Sequence, residues 1–336
     1  MKTEYTYFVG VDVSKSWLDF SLIQEGKELK KGRVNNNLKG VREILEALKE
    51  QGVTTVNTLF IAEHTGSYSD VLSITVASKK YKLWMVTPLE LKLNSGTQRG
   101  KSDPLDAFRM ADFCMRHHDK AKLWKVPSKT MRYLKKYQAQ RKALIKARHC
   151  LLRSLDSLSE GTTKQMGNDL KRNFNKSIKA LEADLKKLDI RLEELIRNDE
   201  ELKRLVELAT SVPGIGETTA IALLIATAGF TKFQNAKQLA CYAGVVPFSY
   251  SSGSSIRGTG KVSKKSDKLL KCLLYMGVRS VIQIPGELQE YYYRKIKEGK
   301  HHMSVVNAIK NKLILRVFAC VRDDVKYDKN YSHSLA

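Results

Sequence analysis

The sequence is poor in cysteine, and its few cysteines follow no pairing pattern. The five cysteines are scattered and odd in number, with no C-x-x-C pair. This argues against a disulfide framework or a zinc site and favours a reducing, cytoplasmic compartment. No apolar run approaches the ~18–20 residues that a membrane-spanning helix needs. No G-x-x-x-x-G-K-[ST] loop occurs either, so a nucleotide-driven mechanism of the P-loop type is not indicated.

Negative charge is scarce relative to positive charge. In 336 residues, 35 Asp and Glu stand against 59 Lys and Arg, for a formal net charge of +24 at pH 7. Such a field favours a polyanionic partner. Because membrane contact is not expected, nucleic acid is the predicted partner.

The imbalance is sharpest between residues 120 and 155, which hold twelve Lys or Arg and no Asp or Glu. Leucines recur through this stretch, which predicts a long basic helix. A solvated helix surface normally mixes both signs of charge, so we expect phosphate contacts here. The candidate cations are Lys129, Arg132, Lys135, Lys136, Arg141, Lys142, Lys146 and Arg148.

The first 120 residues alternate strand and helix signals. Strand-like runs at 7–13, 17–23 and 27–34 precede a helical run at 37–52, a strand at 56–63, a helix near 68–80, a strand at 81–86 and a helix at about 102–118. Three adjacent strands followed by β-α-β units predict a mixed sheet flanked by helices.

Four carboxylates take meaningful positions in this pattern. Asp12 lies at the end of the first predicted strand, and Glu63 ends the fourth. Asp103 and Asp106 are three residues apart, so a helix presents both on one face. Crowded like charges favour proton uptake unless a cation neutralises them. Two Mg²⁺ or Mn²⁺ ions roughly 3.5–4 Å apart would do so and would promote attack on a phosphodiester. Each acid alone could be a turn or cap residue, but the four together favour the metal site.

A heptad pattern follows the basic segment. Apolar residues spaced 4-3-4-3-4-3 form one seam: Phe174, Ile178, Leu181, Leu185, Leu188, Leu192 and Leu195. A seam this strict is buried against another helix. Two partners are open, namely the 128–155 helix folding back and the same segment of another protomer, and both can hold together.

Two glycine-rich motifs lie nearer the C-terminus. The Pro-Gly-Ile-Gly turn at 213–216 resembles the hairpin of helix–hairpin–helix modules, where Gly214 and Gly216 would let backbone N–H groups approach a phosphate. The alternative is a plain helix connection. The run "PFSYSSGSSIRGTGK" is rich in Ser and Gly, and four cations follow its serines: Arg257, Lys261, Lys264 and Lys265. It either surrounds a phosphate or is a flexible linker.

Together these motifs resemble a known family. The order D…E…D-x-x-D resembles the RuvC-type branch of the RNase H fold. The stretches "GVDVSK", "DPLD", "PGIG" and "CYAGVVPFSYSSGSSIRGTGKVSKKSDKLLKCLL" resemble the DEDD transposases of bacterial insertion sequences and the related pilin-gene invertases, over about residues 5–320. The resemblance implies a RuvC-like α/β domain at 1–120, a basic helix and coiled coil at 121–208, a mainly helical transposase domain at 209–325 and a tail at 326–336.

In that family a serine directly before a glycine joins covalently to DNA. The resemblance assigns this role to Ser252, with Ser251 as the neighbouring competitor. It implies a recombinase that cuts and rejoins donor and target DNA, uses Mg²⁺ or Mn²⁺ and is guided by an element-encoded bridge RNA. Because exchange between two duplexes needs several active sites held together, we expect a dimer or a synaptic tetramer, acting on the bacterial nucleoid. Two alternatives stay open: a RuvC-like nuclease that uses water as nucleophile, and a non-catalytic nucleic-acid-binding protein.

Overall fold

A computed structural model describes residues 5–88, 90–91, 103–252, 256–262 and 266–328, with the backbone alone at 248–252 and 256–261. The chain divides into two compact units, residues 1–126 and 127–336. The division lies near the expected border at residue 120. The border expected at 208/209 falls inside the second unit.

The first unit is built on a five-stranded mixed sheet in the order β3-β2-β1-β4-β5. The strands are β1 (Tyr7–Val13), β2 (Trp17–Gln24), β3 (Lys27–Asn35), β4 (Thr58–Glu63) and β5 (Lys82–Val86). β1, β2 and β3 form an antiparallel meander, whereas β4 lies parallel to β1 and β5 parallel to β4. The central strands β1 and β4 are almost wholly buried, as their continuous apolar runs predict.

Helices cover the sheet. They are α1 (Leu38–Lys49), α2 (Asp70–Ser78) and α3 (Asp103–His117), with short 3₁₀ turns at Gly66–Ser69 and His118–Lys120. The Asn37 side chain begins α1 by accepting a hydrogen bond from the Gly40 N–H. Residues of α3 pack on one face of the sheet, and α1 and α2 contribute to the other core. This confirms the predicted mixed α/β domain.

The second unit is mainly helical. Its helices are α4 (Lys129–Ser159), α5 (Lys164–Arg197), α6 (Glu200–Thr210), α7 (Glu217–Thr227), α8 (Ala236–Tyr242), α9 (Lys268–Val281), α10 (Glu287–Lys297) and α11 (His302–Asp323). A hairpin of β6 (Pro247–Ser252) and β7 (Ile256–Val262) lies between α8 and α9. The unit confirms the predicted α/β-plus-α fold class. In the ranges that the structure covers, no helix is both long and apolar enough to cross a membrane.

The heptad seam is covered by the same chain. α5 packs along α4, and Ile178, Leu185, Leu188 and Leu192 are buried there. Ion pairs flank the seam: Arg141 Nε lies 2.6 Å from Asp189 Oδ1, and Arg148 Nη1 lies 3.4 Å from Glu182 Oε1. Of the two partners open from the sequence, the structure shows the fold-back of the basic helix.

Candidate active site

Two of the predicted acids lie at the carboxyl ends of neighbouring parallel strands. Val11 of β1 pairs with Ala62 of β4, so the next residues, Asp12 and Glu63, lie at the same edge of the sheet. Both side chains are partly buried. Because the two strands are parallel and in register, the carboxylates of Asp12 and Glu63 lie side by side at the carboxyl ends of the strands.

α3 brings the other two acids to this edge, and Gly10 permits its approach. A β-carbon built on Gly10 would lie 2.1 Å from the Ala107 carbonyl oxygen and 2.5 Å from the Ala111 nitrogen. No side chain fits at those distances, so only glycine lets the helix backbone lie this close to β1. Asp103 and Asp106 occupy the first turn of α3, and Gly10 therefore controls how near they come to Asp12.

Asp12 lies at the centre of the negative charge. Burial raises its pKa to about 6, and the charges of Asp103, Asp106, Glu63 and Asp19 contribute to the rise. Among the described side chains, no Lys, Arg or His forms an ion pair with Asp12. The charge of Asp12 itself thus has no cationic partner among the described residues.

Asp19 is a fifth acid that the sequence patterns did not single out. It lies on β2 directly opposite Asp12 and is only 3% exposed. Arg33 on β3 is its register partner on the other side, with Nε 2.9 Å and 3.1 Å from the two Asp19 carboxylate oxygens. Arg33 also donates from Nη2 to Asp103 Oδ2 at 2.9 Å. An acid within the apolar run "WLDFSLI" was the available signal, but the strand register needed to interpret it is absent from the sequence.

The chemistry of the donor set fits a divalent cation. Carboxylate oxygens are the ligands that Mg²⁺ and Mn²⁺ prefer, and the raised pKa of Asp12 marks a site where added positive charge is favourable. In this arrangement Asp103 turns to Arg33, and Asp106 turns to Arg109 with Nη1–Oδ1 at 3.2 Å. Within the described part of the chain, no three His, Cys, Asp or Glu side chains are grouped closely enough to hold a metal. Metal binding would therefore draw these carboxylates closer together than they lie in this arrangement.

The serine block forms a β-hairpin at residues 247–252 and 256–262, so the linker alternative is wrong there. Ser252 is the last residue of β6 and pairs with Ile256, and Ser251 pairs with Arg257. The backbone of Arg257 and Lys261 lies on β7. The side chains of Ser251, Ser252, Arg257 and Lys261 lie outside the described atoms, as do Lys264 and Lys265 entirely.

The basic helix α4 has two sets of cations. Arg141 and Arg148 are half-buried and pair with acids of α5, and Arg132 is half-buried as well. Lys129, Lys135, Lys136, Lys142 and Lys146 are exposed. Since successive helical residues are about 100° apart, Lys135, Lys142 and Lys146 fall within about 40° of one another around the axis. These three lysines, here called the α4 stripe, are exposed, and the ion pairs seen between α4 and α5 are made by Arg141 and Arg148 instead.

The two glycines of the Pro-Gly-Ile-Gly turn have different surroundings. Gly214 has a φ of +90°, and a β-carbon there would lie 2.9 Å from the Gly277 carbonyl oxygen of α9. A β-carbon on Gly277 would in turn lie 2.2 Å from the Gly214 oxygen. Gly214 is thus required for packing. Gly216 is exposed and begins α7 without a side-chain cap, so it is the glycine that leaves helix N–H groups accessible.

Both units of this chain contain residues that match known protein families. Residues 9–162 match a transposase profile of the IS110 DEDD type, and residues 206–293 match the "Transposase IS116/IS110/IS902 family". The pilin gene-inverting proteins of Moraxella bovis and Moraxella lacunata are 28% and 27% identical, each over 96% of this chain and 98% of the relative.

Two further similarities cover parts of the chain. A probable family 20 transposase of Pseudomonas aeruginosa is 30% identical over 34% of this chain and 32% of its own length. The T. thermophilus RuvC structure in complex with a Holliday junction substrate matches 36% of this chain and 100% of its own, with a TM-score of 0.28 and 12% identity.

Proposed function

The chain belongs to the DEDD-type transposases and recombinases of bacterial insertion sequences, and on that premise we propose that it cuts and rejoins DNA through a phosphoserine intermediate. Asp12, Glu63, Asp103 and Asp106 hold Mg²⁺ or Mn²⁺, and Ser252 is the nucleophile. The carrying observation is the surroundings of Asp12, whose pKa is raised to about 6 by burial and by neighbouring carboxylates. A protein retains such repulsion where a cationic ligand offsets it.

The residues of the first unit prepare a site for a phosphodiester. Gly10 lets α3 approach β1, and α3 carries two of the acids. When bound, a divalent cation supplies charge that polarises the scissile phosphate and lowers the pKa of the attacking hydroxyl. The acids themselves would repel DNA, so its affinity must come from cations elsewhere, which the net charge of +24 provides.

Ser252 is the last residue of β6 and pairs with Ile256 of β7. Its oxygen would form a bond to phosphorus while the bond from phosphorus to a deoxyribose oxygen breaks, and the leaving oxygen takes up a proton. In the reverse step a deoxyribose hydroxyl attacks the phosphoserine and releases the serine. One phosphate ester replaces another at each step, so rejoining needs no ATP. This is consistent with the lack of a P-loop motif in the sequence.

The second unit would bind nucleic acid through the phosphate backbone of the nucleic acid. The α4 stripe offers three exposed lysines along one helix, and Lys129 and Lys136 are exposed nearby. Such contacts give affinity without sequence preference. A bridge RNA from the element would supply sequence choice by pairing with donor and target DNA, as in other RNA-guided systems. Strand exchange between two duplexes needs several active sites, so we propose a homodimer or tetramer acting on the bacterial nucleoid.

A covalent trapping experiment tests this function. The full chain is incubated with Mn²⁺, end-labelled DNA carrying the element junctions, and RNA transcribed from the element ends, and then denatured. A protease-sensitive labelled adduct is expected. Ser252→Ala should lose the adduct and the recombinant product while DNA binding persists. Ser249→Ala, on the same strand β6, is the matched control and should retain both.

The other outcomes separate the alternatives. Recombination by Ser252→Ala but not by Ser251→Ala would move the nucleophile by one residue. Cut strands without any adduct, unaffected by either change, would point to a nuclease that uses water. DNA binding with no cleavage under any condition would leave a non-catalytic nucleic-acid-binding protein.

A further inference from the structure

Three charged residues form a row across the first three strands of the sheet. Asp12 of β1 is in register with Asp19 of β2, which is in register with Arg33 of β3. Arg33 also connects this row to α3, because it donates a hydrogen bond to Asp103 at the start of that helix. Asp19 and Arg33 are not among the residues to which the proposed function assigns a role.

The Asp19–Arg33 pair is held firmly. Asp19 is 3% exposed, and a buried carboxylate is costly unless it is paired and hydrogen-bonded. Arg33 satisfies it through Nε at 2.9 Å and 3.1 Å. The guanidinium is planar and rigid, so fixing Nε on Asp19 also fixes the direction of Nη2.

That direction determines the position of one carboxylate of α3. Arg33 Nη2 donates to Asp103 Oδ2 at 2.9 Å, and no hydrogen bond to Asp103 Oδ1 from another described residue is seen. Asp103 is an exposed side chain at the start of its helix, and Arg33 is its ion-pair partner among the described residues. The contact leaves one oxygen of Asp103 for another ligand.

We propose that Arg33, anchored by Asp19, is a positioning residue that orients Asp103 for divalent-cation binding. The inference rests on the proposed function, since it requires Asp103 to be a metal ligand. Hydrogen-bond partners of ligating carboxylates commonly set metal affinity, and their loss costs about 10–100-fold. The opposite role, in which Arg33 competes with the metal for Asp103, predicts tighter metal binding when Arg33 is removed.

Mn²⁺ binding by the full-length chain, measured by calorimetry without nucleic acid, tests the proposal. Arg33→Gln alone leaves Asp19 buried without its cation and should lower the melting temperature. The double variant Asp19→Asn/Arg33→Gln removes both charges and should recover that stability. Its Mn²⁺ affinity should nevertheless be about 10–100-fold weaker than that of the parent. The double variant removes one negative and one positive charge together, so a change in net charge beside the acids does not explain a loss of affinity.

Two further variants complete the design. Lys31→Gln is the matched control, since Lys31 also lies on β3 but pairs with Glu28 at 2.8 Å, and it should bind Mn²⁺ like the parent. Arg33→Lys keeps the charge beside Asp19 but lacks the fork that bonds both acids, so it should keep its stability and bind Mn²⁺ weakly.

The outcomes distinguish the two levels of inference. Parental affinity in the double variant and in Arg33→Lys would overturn the positioning role while leaving the metal site intact. Tighter binding in either would show that Arg33 competes with the metal and would likewise overturn it. A parent chain that binds no Mn²⁺ would overturn the proposed metal site and this inference together.

Discussion

Asp12 and Asp19 lie directly opposite each other on β1 and β2, yet of the two only Asp19 has an arginine partner among the described residues. Arg33 compensates the buried Asp19, whereas Asp12 experiences the charge of its neighbours without an ion pair among the described residues. Two adjacent acids on one sheet thus have opposite roles. Asp19 is structural, whereas the proposed function makes Asp12 a ligand of the divalent cation.

The raised pKa of Asp12 makes the stability of the metal-free protein depend on pH. The folded state binds a proton more tightly than the unfolded chain does, so the stabilisation is present below pH 4 and is lost as pH rises through about 6. Asp12→Asn should therefore raise the free energy of unfolding at pH 7.5 by about 1–2 kcal/mol, after allowing for solvent screening of a partly exposed group. Urea unfolding measures it.

The same change should have a smaller effect at pH 4.5, where folded Asp12 is already protonated. Asp119→Asn, at an exposed acid of the same unit, is the control and should change little at either pH. An Asp12→Asn variant less stable than the parent at pH 7.5 would show that Asp12 is compensated in solution.

Gly10→Ala should displace α3 from β1. The added carbon would overlap the Ala107 carbonyl, a backbone atom that cannot turn aside. We expect a loss of at least about 1–3 kcal/mol in unfolding free energy. We also expect a loss of Mn²⁺ affinity greater than the stability change explains, because Asp103 and Asp106 move with the helix. Gly167→Ala in α5, where the new carbon meets only Thr162 Oγ1 at 3.6 Å, should leave Mn²⁺ binding unchanged.

The two sets of cations on α4 should respond differently to substitution. Replacing Lys135, Lys142 and Lys146 by Gln should lower the log–log salt slope of nucleic-acid binding by about 2–3, at about 0.7–0.9 for each lost phosphate contact. Thermal stability should hold. The double variant Arg141→Gln/Arg148→Gln should instead lower the thermal stability and leave the salt slope unchanged, since both arginines pair with α5. Binding isotherms between 50 and 300 mM salt measure the slope, and thermal melts measure the stability. A lower slope in the arginine variant and a lower melting temperature in the lysine variant would invert the assignment.

Leu185→Asp should destabilise the second unit within a single chain. Leu185 is 8% exposed where α5 packs on α4, and an unpaired charge there costs several kcal/mol. Loss of helical circular dichroism at a lower temperature is expected at any protein concentration. Lys179→Asp, at an exposed position of α5, is the control. Concentration-dependent melting of Leu185→Asp would instead indicate that the seam also joins protomers.

The structural features that depend on a local residue pattern could be predicted from the sequence. The runs around Asp12 and Glu63 are strongly apolar, and two strands ending at these acids in a mixed sheet follow from them. The three-residue spacing of Asp103 and Asp106 likewise predicts a shared helix face. Asp19 and Arg33 were missed because their importance depends on cross-strand register, which the sequence does not encode in any local signal.

Other features needed the tertiary structure for the same reason. A heptad period predicts a buried seam but does not identify the helix that buries it. The cations of α4 look equivalent in the sequence, and only the position of α5 separates Arg141 from Lys142. Gly214 resembled a phosphate-binding glycine until its contact with Gly277 showed a packing requirement.

The α4–α5 pairing has a practical consequence for handling the protein. The exposed lysines of α4 would attract phosphates through charges that face water, and at 1 M salt such attraction is screened beyond about 3 Å. The buried leucines of α5 depend on apolar contact, which salt does not weaken. A wash at high ionic strength should therefore strip co-purifying nucleic acid from the chain while the helical pair stays folded, so that binding can be measured afterwards on a clean, native preparation.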